Sequence, residues 1–339
     1  MDSAEPFEAF VVRRHDGAVE SGLETLTVAD LPEGEVLVEV LWSTVNAKDA
    51  MVTVPGNRVA RTSPLVPGVD LAGVVVESTE VSLPPGTEVI AHGHDIGVAH
   101  HGGFARYARL PASWVLPLPA GLTARQAMTV GTAGFTAALS VDELERRGLR
   151  PGDGPVLVTG ATGGVGSFTV VLLAGRGYEV VASTGTGDAE SWLRGLGATS
   201  VIGREALDEA PERVLGPERW AGAVDCVGGA TLALVLRSLR YGAAVAASGL
   251  TAGPELRTTV YPFITRQVGL LGIDTVRTGR GRRIEVWDHL AGDLRGAFLD
   301  TLVDSEVPLA DVASALARVG RGETRGRIVI SVGASGASG

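Results

Sequence analysis

The strongest indication of the fold of this chain is the glycine-rich segment Pro155-Val-Leu-Val-Thr-Gly-Ala-Thr-Gly-Gly-Val-Gly-Ser167. An apolar run ends in closely spaced glycines, and a second apolar run starts at Phe168. This pattern predicts a buried strand, a tight turn and the start of a helix. Such glycines let the backbone approach a pyrophosphate, and the helix N-terminus attracts negative charge. The stretch therefore predicts a dinucleotide-binding turn.

A glycine-rich turn alone is a weak signal, and here Ala161 stands where the first glycine of G-x-G-x-x-G is expected. The strand predicted at 178–183 strengthens the prediction because it closes a βαβ unit of about thirty residues, as the fingerprint requires. The residues expected to bind the cofactor through this turn are Thr162, Gly163, Gly164, Val165 and Gly166.

The end of the second strand, Ala182-Ser-Thr-Gly-Thr186, carries hydroxyls and no carboxylate. A site specific for NAD places a carboxylate about twenty residues after the glycines to bind the ribose 2′-hydroxyl, and a 2′-phosphate would be repelled by it. The sequence therefore favours NADPH, with Ser183, Thr184 and Thr186 near the 2′-phosphate. Arg204 is the candidate basic partner of that phosphate, although a solvated surface arginine is an equal alternative.

Composition narrows the class of protein. With 339 residues, 45% hydrophobic content and a net charge of -10, the chain is expected to be soluble, globular and large enough for two domains. The acidic balance argues against nucleic-acid binding. No apolar run reaches the about 18 residues of a membrane span and no signal peptide is recognisable, which predicts a cytoplasmic protein. The single cysteine, Cys226, excludes an internal disulfide and is expected to be an inert buried thiol.

Two patterns divide the chain at about residue 122. Before it, short strands between Gly/Pro turns predict a mostly β domain, and after it, alternating helices and apolar strands predict a doubly wound parallel sheet. The C-terminal part is expected to return to the β domain, and the Gly/Ser-rich tail at 333–339 is typical of disorder. The predicted strands are 35–41, 70–77, 87–91, 103–110, 155–159, 179–183, 200–202, 223–227, 243–247, 268–273 and 326–332, and the predicted C-terminal helices are 282–299 and 309–320.

Taken together, these features resemble the medium-chain dehydrogenase/reductase superfamily, and most closely its zinc-free acrylyl-CoA reductase and quinone-oxidoreductase-like branch. The resemblance implies an α/β fold in which a GroES-like β domain, 1–122 with 277–339, is split around a Rossmann domain, 123–276, with the active site in the cleft. The matching blocks are Val45-Asn-Ala-Lys-Asp49, Val66-Pro-Gly-Val-Asp-Leu-Ala-Gly73, Gly131-Thr-Ala-Gly-Phe-Thr-Ala137, Val158-Thr-Gly-Ala-Thr-Gly-Gly-Val-Gly166, Ala182-Ser-Thr-Gly185, Arg219-Trp-Ala-Gly-Ala-Val-Asp225, Arg240-Tyr-Gly242 and Thr258-Thr-Val-Tyr-Pro-Phe263.

The resemblance also implies a reaction, namely NADPH-dependent reduction of an activated C=C bond in an enoyl thioester or enone. Hydride would move to the β-carbon, and the resulting enolate would be protonated at the α-carbon. The family positions are matched by Asn46, Lys48 and Asp49 for catalysis, Thr132 at the nicotinamide end, and Val227, Gly228, Ser248 and Gly249 along the nicotinamide pocket. A homodimer through the strand at 268–273 is also implied.

The chain departs from this branch at several positions. The family tyrosine is replaced by Ala47, a Trp-rich pattern is replaced by the region of His94 and His100, and the basic residue after Ser-Thr-Gly is replaced by Thr186. The proton for the enolate would then come from Lys48, from a histidine such as His100, or from water. The missing basic residue weakens the preference for NADPH without restoring an acid for NAD.

Three further interpretations concern a metal site, quinone reduction and a non-catalytic role. His92, His94, His100 and His101 crowd one region, but without a cysteine there a metal site is not expected. Quinone reduction needs no dedicated proton donor, so Ala47 is compatible with it. A non-catalytic NADPH-binding protein is also compatible with Ala47, whereas the intact Asn46, Lys48 and Asp49 argue against it.

Overall fold

The computed structural model describes residues 5–207, 214–294 and 296–333. The chain divides into two compact units, unit 1 being Met1–Thr132 with Thr275–Gly339 and unit 2 being Ala133–Asp274. No helix in the described ranges has both the length and the apolar character needed to cross a membrane. The tail predicted to be disordered lies, from residue 334 onward, outside the described residues.

The elements are numbered in chain order. The strands are β1 (Phe7–His15), β2 (Ala18–Leu26), β3 (Val36–Thr44), β4 (Asp70–Ser78), β5 (Glu88–His92), β6 (Tyr107–Leu110), β7 (Val115–Pro117), β8 (Val156–Thr159), β9 (Val180–Thr184), β10 (Ser200–Gly203), β11 (Gly222–Asp225), β12 (Ala244–Ala247), β13 (Gly269–Gly272), β14 (Val303–Pro308) and β15 (Arg327–Ser331). The helices are α1 (Ala47–Val52), α2 (Ala124–Arg146), α3 (Gly164–Gly175), α4 (Glu190–Gly195), α5 (Gly229–Ser238), α6 (Tyr261–Arg266), α7 (Arg280–Asp293) and α8 (Val312–Gly320).

Unit 1 is built around a mostly antiparallel sheet in the order β14-β15-β3-β4-β5-β7, with β6 also paired to β3. The last strand of the chain, β15, therefore lies between β14 and β3, and it pairs with β3 through Val329 and Thr44. Buried side chains that are far apart in sequence, such as Phe10, Phe104 and Ile328, pack into one core. Each buried side chain of this size contributes about 1.5–3 kcal/mol.

Unit 2 contains a six-stranded parallel sheet in the order β10-β9-β8-β11-β12-β13. The chain runs outward from β8 to β10 and then returns to β11 on the other side of β8, so the strand order reverses between β8 and β11. Every residue of β8 and β9 is buried, as expected for parallel strands covered on both faces. The predicted α/β fold, with a β domain and a doubly wound parallel sheet, is confirmed.

Several local predictions differ from the structure. The strand predicted at 103–110 begins only at Tyr107, and the helix predicted at 282–299 ends at Asp293. Leu294 leaves the helical conformation at φ -111° and ψ 66°, next to glycines that disfavour a helix, and a 3-10 stretch, Gly296–Leu302, follows. Gly131, at φ 48° and ψ -158°, interrupts the helical run of α2.

Candidate functional site

The glycine turn between β8 and α3 has the geometry of an anion-binding turn. Gly160 takes the left-handed φ of 61°, and its carbonyl accepts a hydrogen bond of 3.0 Å from the N–H of Gly163. The N–H of Ala161 donates to the carbonyl of Ser183 at 3.0 Å. Because Gly160 supplies the positive φ of the turn, the alanine that replaces the expected first glycine causes no backbone strain.

The close approach in this turn falls at Gly166. An ideal Cβ at that position would lie 2.7 Å from the Cα of Ala161 and would also collide with the carbonyl oxygen of Gly160. The helix begins at Gly164, and the N–H of Ser167 makes the first helical bond, to Gly163, at 2.9 Å. The N–H groups of Gly164, Val165 and Gly166 precede that bond, as an anion-binding helix N-terminus requires.

The hydroxyl groups after β9 lie beside this turn. The Oγ1 atoms of Thr162 and Thr184 are 3.3 Å apart, and the N–H of Thr186 donates to Oγ1 of Thr184 at 3.0 Å. The structure thus brings Thr162 together with Thr184 and Thr186. Ser183 and Thr184, the last two residues of β9, are both buried. These contacts form a hydroxyl-lined edge at the carboxyl end of the sheet.

Arg204 lies against the same edge. An ideal Cβ on Gly185 would be 2.5 Å from Nη2 and 3.0 Å from Nε of Arg204, so the guanidinium lies directly on the backbone at that glycine. Arg204 is itself exposed at the start of a 3-10 turn. An exposed guanidinium beside a row of hydroxyls can bind a phosphate.

The carboxyl ends of β11 and β12 form another wall of the sheet edge. The N–H of Ser248 donates to the carbonyl of Asp225 at 3.0 Å, and the glycine at 249 packs against the carbonyl of Cys226. Burial raises the pKa of the Cys226 thiol to about 12, so this cysteine stays a neutral thiol near neutral pH. Val227 and Gly228 continue the loop into α5.

In unit 1, Asn46 and Asp49 organise the start of α1. Asn46 is the residue before the helix, and its N–H donates to Oδ2 of Asp49 at 2.8 Å. Oδ1 of Asp49 accepts the N–H groups of Gly68 and Val69, each at 3.0 Å. Asp49 therefore anchors this loop through hydrogen bonds to three backbone N–H groups.

Asp49 is fully buried, and burial raises its pKa to about 7. The nearby Asp70 carboxylate raises this pKa further, whereas the three backbone N–H donors oppose the rise. The carboxyl group of Asp49, which accepts the N–H of Asn46, therefore changes charge near neutral pH.

Asp70 and Arg327 fix the orientation of Asn46. Nδ2 of Asn46 donates to Oδ2 of Asp70 at 2.8 Å, and Oδ1 of Asn46 accepts from Nη2 of Arg327 at 3.2 Å. The same guanidinium donates to Oγ1 of Thr44 at 2.9 Å and to the carbonyl of Thr129 at 3.2 Å. Only one orientation of the Asn46 amide lets its NH2 group donate to Asp70 and its oxygen accept from Arg327. In that orientation the NH2 group has a second N–H that can donate to a ligand.

Asp70 also holds Thr132, which joins Thr132 to Asn46 through one carboxylate. Oδ1 of Asp70 accepts the hydroxyl of Thr132 at 2.5 Å, and Oδ2 accepts its N–H at 3.0 Å. Gly131 makes this approach possible, since an ideal Cβ there would lie 2.7 Å from Oδ2 of Asp70. The structure thus brings together Asn46, Asp49, Asp70, Thr132 and Arg327, a group that we call the Asn46 cluster.

Two predicted catalytic residues, Lys48 and His100, are not members of the Asn46 cluster. Lys48 is exposed on the first turn of α1, next to the exposed Ala47. The ring of His100 lies edge-on to Trp114 with centroids 5.2 Å apart, and its nitrogens face the carbonyl groups of His101 at 3.1 Å and Glu33 at 3.4 Å. The interactions of His100 thus involve a different group of residues from the Asn46 cluster.

The histidines near His100 are engaged with other side chains. Nε2 of His92 accepts the indole N–H of Trp287 at 2.8 Å, and Nη1 of Arg283 is 3.1 Å from its Nδ1. The ring of His94 stacks on Trp114 with centroids 5.2 Å apart. In residues 5–207, 214–294 and 296–333, no group of three His, Cys, Asp or Glu side chains converges to hold a metal ion. The donor set here does not fit a zinc site.

Sequence reasoning did not assign Asp70 and Arg327 to the site. Asp70 lies in the block Val66-Pro-Gly-Val-Asp-Leu-Ala-Gly73 and is the first residue of β4, in which no residue is exposed. A carboxylate at the start of such a strand was the signal that could have identified it. Arg327 opens a strand of apolar residues in the same way. A charged residue that opens a strand with its first four residues buried needs a partner. Asp70 and Arg327 are partners of each other, with Nη2 of Arg327 and Oδ2 of Asp70 3.9 Å apart.

Two family models match separate parts of the chain. Residues 32–120 match the alcohol dehydrogenase GroES-like domain family, and residues 164–291 match the family described as zinc-binding dehydrogenase. The acrylyl-CoA reductase AcuI of Ruegeria pomeroyi is 46% identical over 330 residues, which is 97% of this chain and 100% of that protein.

Two solved structures are similar over nearly the whole chain. Escherichia coli YhdH with bound NADPH has a TM-score of 0.92 at 41% identity, covering 95% of this chain and 99% of that one. Bacillus subtilis YhfP with bound NAD, a quinone oxidoreductase-like protein, has a TM-score of 0.93 at 44% identity, covering 97% of this chain and 100% of that one. The predicted resemblance is confirmed.

Proposed function

Because the chain belongs to the medium-chain dehydrogenase/reductase superfamily, in the branch of acrylyl-CoA reductases and quinone-oxidoreductase-like proteins, we propose that it is an NADPH-dependent reductase of activated C=C bonds. Its substrate class is a small α,β-unsaturated thioester or ketone. The observation that carries the proposal is the full-length similarity to an acrylyl-CoA reductase, together with the ordered Asn46 cluster.

NADPH supplies the hydride when it is bound, and the chain supplies binding and electrostatics. The glycine turn, with Gly163 and Gly164 at its centre, binds the pyrophosphate through backbone N–H groups. Hydride addition to the β-carbon places negative charge on the carbonyl oxygen of the substrate. The second N–H of the Asn46 amide, whose orientation Asp70 and Arg327 fix, is a donor for that oxygen.

Protonation of the enolate needs a different source from the family tyrosine, because Ala47 has no hydroxyl. Lys48 is next to Ala47 and exposed, so either its ammonium group or water delivers the proton to the α-carbon. His100 was the third candidate, and its contacts with Trp114, His101 and Glu33 make it the weakest of the three.

The direct test is oxidation of NADPH by the purified protein, followed by absorbance, with acrylyl-CoA, crotonyl-CoA, simple enones and quinones as acceptors. The matched control is Gly163→Asp, since an ideal Cβ at 163 meets only the carbonyl oxygen of Gly160, at 3.4 Å, and the variant should fold. We expect turnover of an enoyl acceptor by the wild type and loss of NADPH binding in the variant, because its carboxylate repels the pyrophosphate. Tight NADPH binding without turnover of any acceptor would reject the reductase proposal.

Selection of NADPH over NADH is assigned to Arg204 and to the hydroxyls of Thr184 and Thr186. We expect Arg204→Gln to raise the KM for NADPH by about tenfold and to leave the KM for NADH unchanged, because only NADPH carries the 2′-phosphate. Equal effects on both cofactors would show that Arg204 does not contact the phosphate. YhfP, a relative of similar identity, has been solved with NAD, so both cofactors belong in this assay.

Quinone reduction is the second candidate function. It is favoured by the similarity to YhfP and by the absence of a tyrosine hydroxyl at Ala47. A quinone acceptor needs no proton at carbon, so Lys48→Met should leave quinone turnover unchanged and slow enoyl reduction. The same panel of acceptors distinguishes the two reactions.

A homodimer and a cytoplasmic location complete the proposal. β13 is an edge strand of the parallel sheet, and Leu270 on it is 39% exposed, as expected for a strand that pairs with its two-fold mate. Light scattering should give about twice the 34.8 kDa chain mass, and Leu270→Arg should halve it. Ile284→Arg, at a position with 42% exposure in unit 1, should not. Cell fractionation tests the location.

A further inference from the structure

Asp225 is a fully buried carboxylate at the carboxyl end of β11. Its Oδ1 accepts the hydroxyl of Thr159 at 2.7 Å, and its Oδ2 accepts the N–H of Gly228 at 2.7 Å. Oγ1 of Thr159, the last residue of β8, accepts the N–H of Cys226 at 3.1 Å in turn. One carboxylate therefore joins the ends of two neighbouring strands and the loop that follows β11.

The position of this link in the sheet is specific. β8 and β11 are the strands between which the strand order reverses. In open α/β sheets, ligands bind outside the carboxyl ends of the strands at that point. The Thr159–Asp225 bond spans the base of this crevice, immediately before Gly160, where the glycine turn begins.

The loop held by Asp225 is packed tightly against the loop after β12. Gly228 has a φ of 73°, and an ideal Cβ there would lie 2.9 Å from the carbonyl oxygen of Gly253 and 3.1 Å from that of Gly249. The carbonyl of Val227 accepts the N–H of Ala252 at 2.8 Å. A shift of the Gly228 N–H would therefore move both loops at the crevice.

Burying a carboxylate at the end of a strand costs desolvation free energy, which an apolar side chain at the same position would not cost. Burial raises the pKa of Asp225, and the hydrogen bonds from Thr159 and Gly228 oppose that rise. Both of its side-chain oxygens are used by groups that border the crevice. The residue thus serves the geometry of this edge.

We propose that Asp225 is a positioning residue for the nicotinamide end of the cofactor site, acting through Thr159 and Gly228. The inference rests on the proposed NADPH-dependent function and adds a residue that the sequence had not assigned to the site. The pyrophosphate is bound at the glycine turn, so loosening the two loops should misalign the nicotinamide and leave most of the cofactor affinity intact.

The test compares Asp225→Asn and Thr159→Val with two controls. Thr159→Ser keeps the hydroxyl, and Thr169→Val removes a buried hydroxyl that donates to the carbonyl of Val165 within α3 at 2.9 Å. The measurements are the dissociation constant of NADPH, the fluorescence anisotropy of the bound nicotinamide, and the single-turnover rate of NADPH oxidation by acrylyl-CoA. Anisotropy needs no acceptor, so it tests the inference even where acrylyl-CoA is not reduced.

We expect Asp225→Asn and Thr159→Val to slow the single-turnover rate about tenfold or more and to lower the anisotropy, with NADPH affinity within about threefold of wild type. Thr159→Ser and Thr169→Val should behave as wild type. Thr159→Val keeps the inference testable if Asp225→Asn does not fold. Wild-type anisotropy and rate in both test variants overturn the inference alone. A wild type that does not bind NADPH overturns both the inference and the proposed function, and one that binds it without turnover overturns only the proposed function.

Discussion

Replacing Arg327 by methionine should destabilise unit 1 strongly. The Arg327 side chain is 4% exposed, and it donates to Thr44, Asn46 and Thr129 while lying 3.9 Å from Asp70. Methionine fills a similar length but leaves the Asp70 carboxylate without a buried cation and the carbonyl of Thr129 without this donor. Breaking a buried pair in this way costs about 3–5 kcal/mol.

Thermal unfolding measures this effect. For a unit of this size the cost corresponds to a fall in Tm of roughly 6–20 °C. Arg321→Met is the matched control, because Arg321 is exposed and its partner Glu323 is also at the surface. That exposed pair should contribute nothing measurable.

The refuting result is an equal Tm for Arg327→Met, Arg321→Met and the wild type. It would mean that the Asn46 cluster does not depend on its buried cation. Arg327→Lys tests the contribution of the positive charge separately from that of the guanidinium geometry. The ammonium group of lysine keeps the charge, but it cannot reproduce the planar guanidinium that donates to both Thr44 and Asn46. We expect an intermediate Tm for it.

Three further predictions concern the turn, the pocket and pH. Gly166→Ala should lower both Tm and NADPH affinity, because the added Cβ collides with Gly160. Gly175→Ala in the same helix should raise Tm slightly, because nothing lies within 4 Å of its added Cβ. Equal shifts of Tm for the two variants in calorimetry would contradict this prediction. Ala47→Tyr should raise the rate of acrylyl-CoA reduction if a hydroxyl is what the pocket lacks, and a folded variant without gain rejects that explanation. The pKa of Asp49 is 3.8 in the unfolded chain and about 7 in the folded protein. The folded state therefore holds more protons between these values, and stability should fall as pH rises through that window. Tm measured from pH 5 to 8 should depend less on pH in Asp49→Asn than in the wild type.

The parts of the fold that were predictable are those encoded by local pattern. The spacing of the glycines predicted the turn after β8, and the apolar runs predicted the parallel strands. A parallel strand that is buried on both faces can be recognised from its own apolar sequence, without knowledge of the strand it pairs with. The hairpin of β1 and β2 was missed, although its signal was present. Asp16-Gly17 takes positive φ at both positions, 47° and 85°, as in the Asp-Gly turns typical of two-residue hairpins.

The candidate site was predictable only in part, for a physical reason. Asn46, Asp49, Asp70 and Thr132 all lie in recognisable blocks. Asp70 meets Arg327, however, only because β4 and β15 flank β3 in the sheet. Such pairing depends on strand order, which a single sequence does not encode locally. The roles of Lys48 and His100 in catalysis and the domain bounds 1–122, 123–276 and 277–339 stay predictions.

The place of β15 inside the sheet of unit 1 has a consequence for biosynthesis. Thr44 donates its hydroxyl to the carbonyl of Ile328 at 2.8 Å, across 284 positions of the chain. A ribosome that has finished β3 must therefore still make all of unit 2 before β15, one of the neighbours of β3, exists. Loop closure over such a distance slows folding. Unit 2 is contiguous and can fold while synthesis continues. The part of the nascent β3 edge at residues 42–44 stays unpaired for that period, so chaperone dependence should concentrate in unit 1.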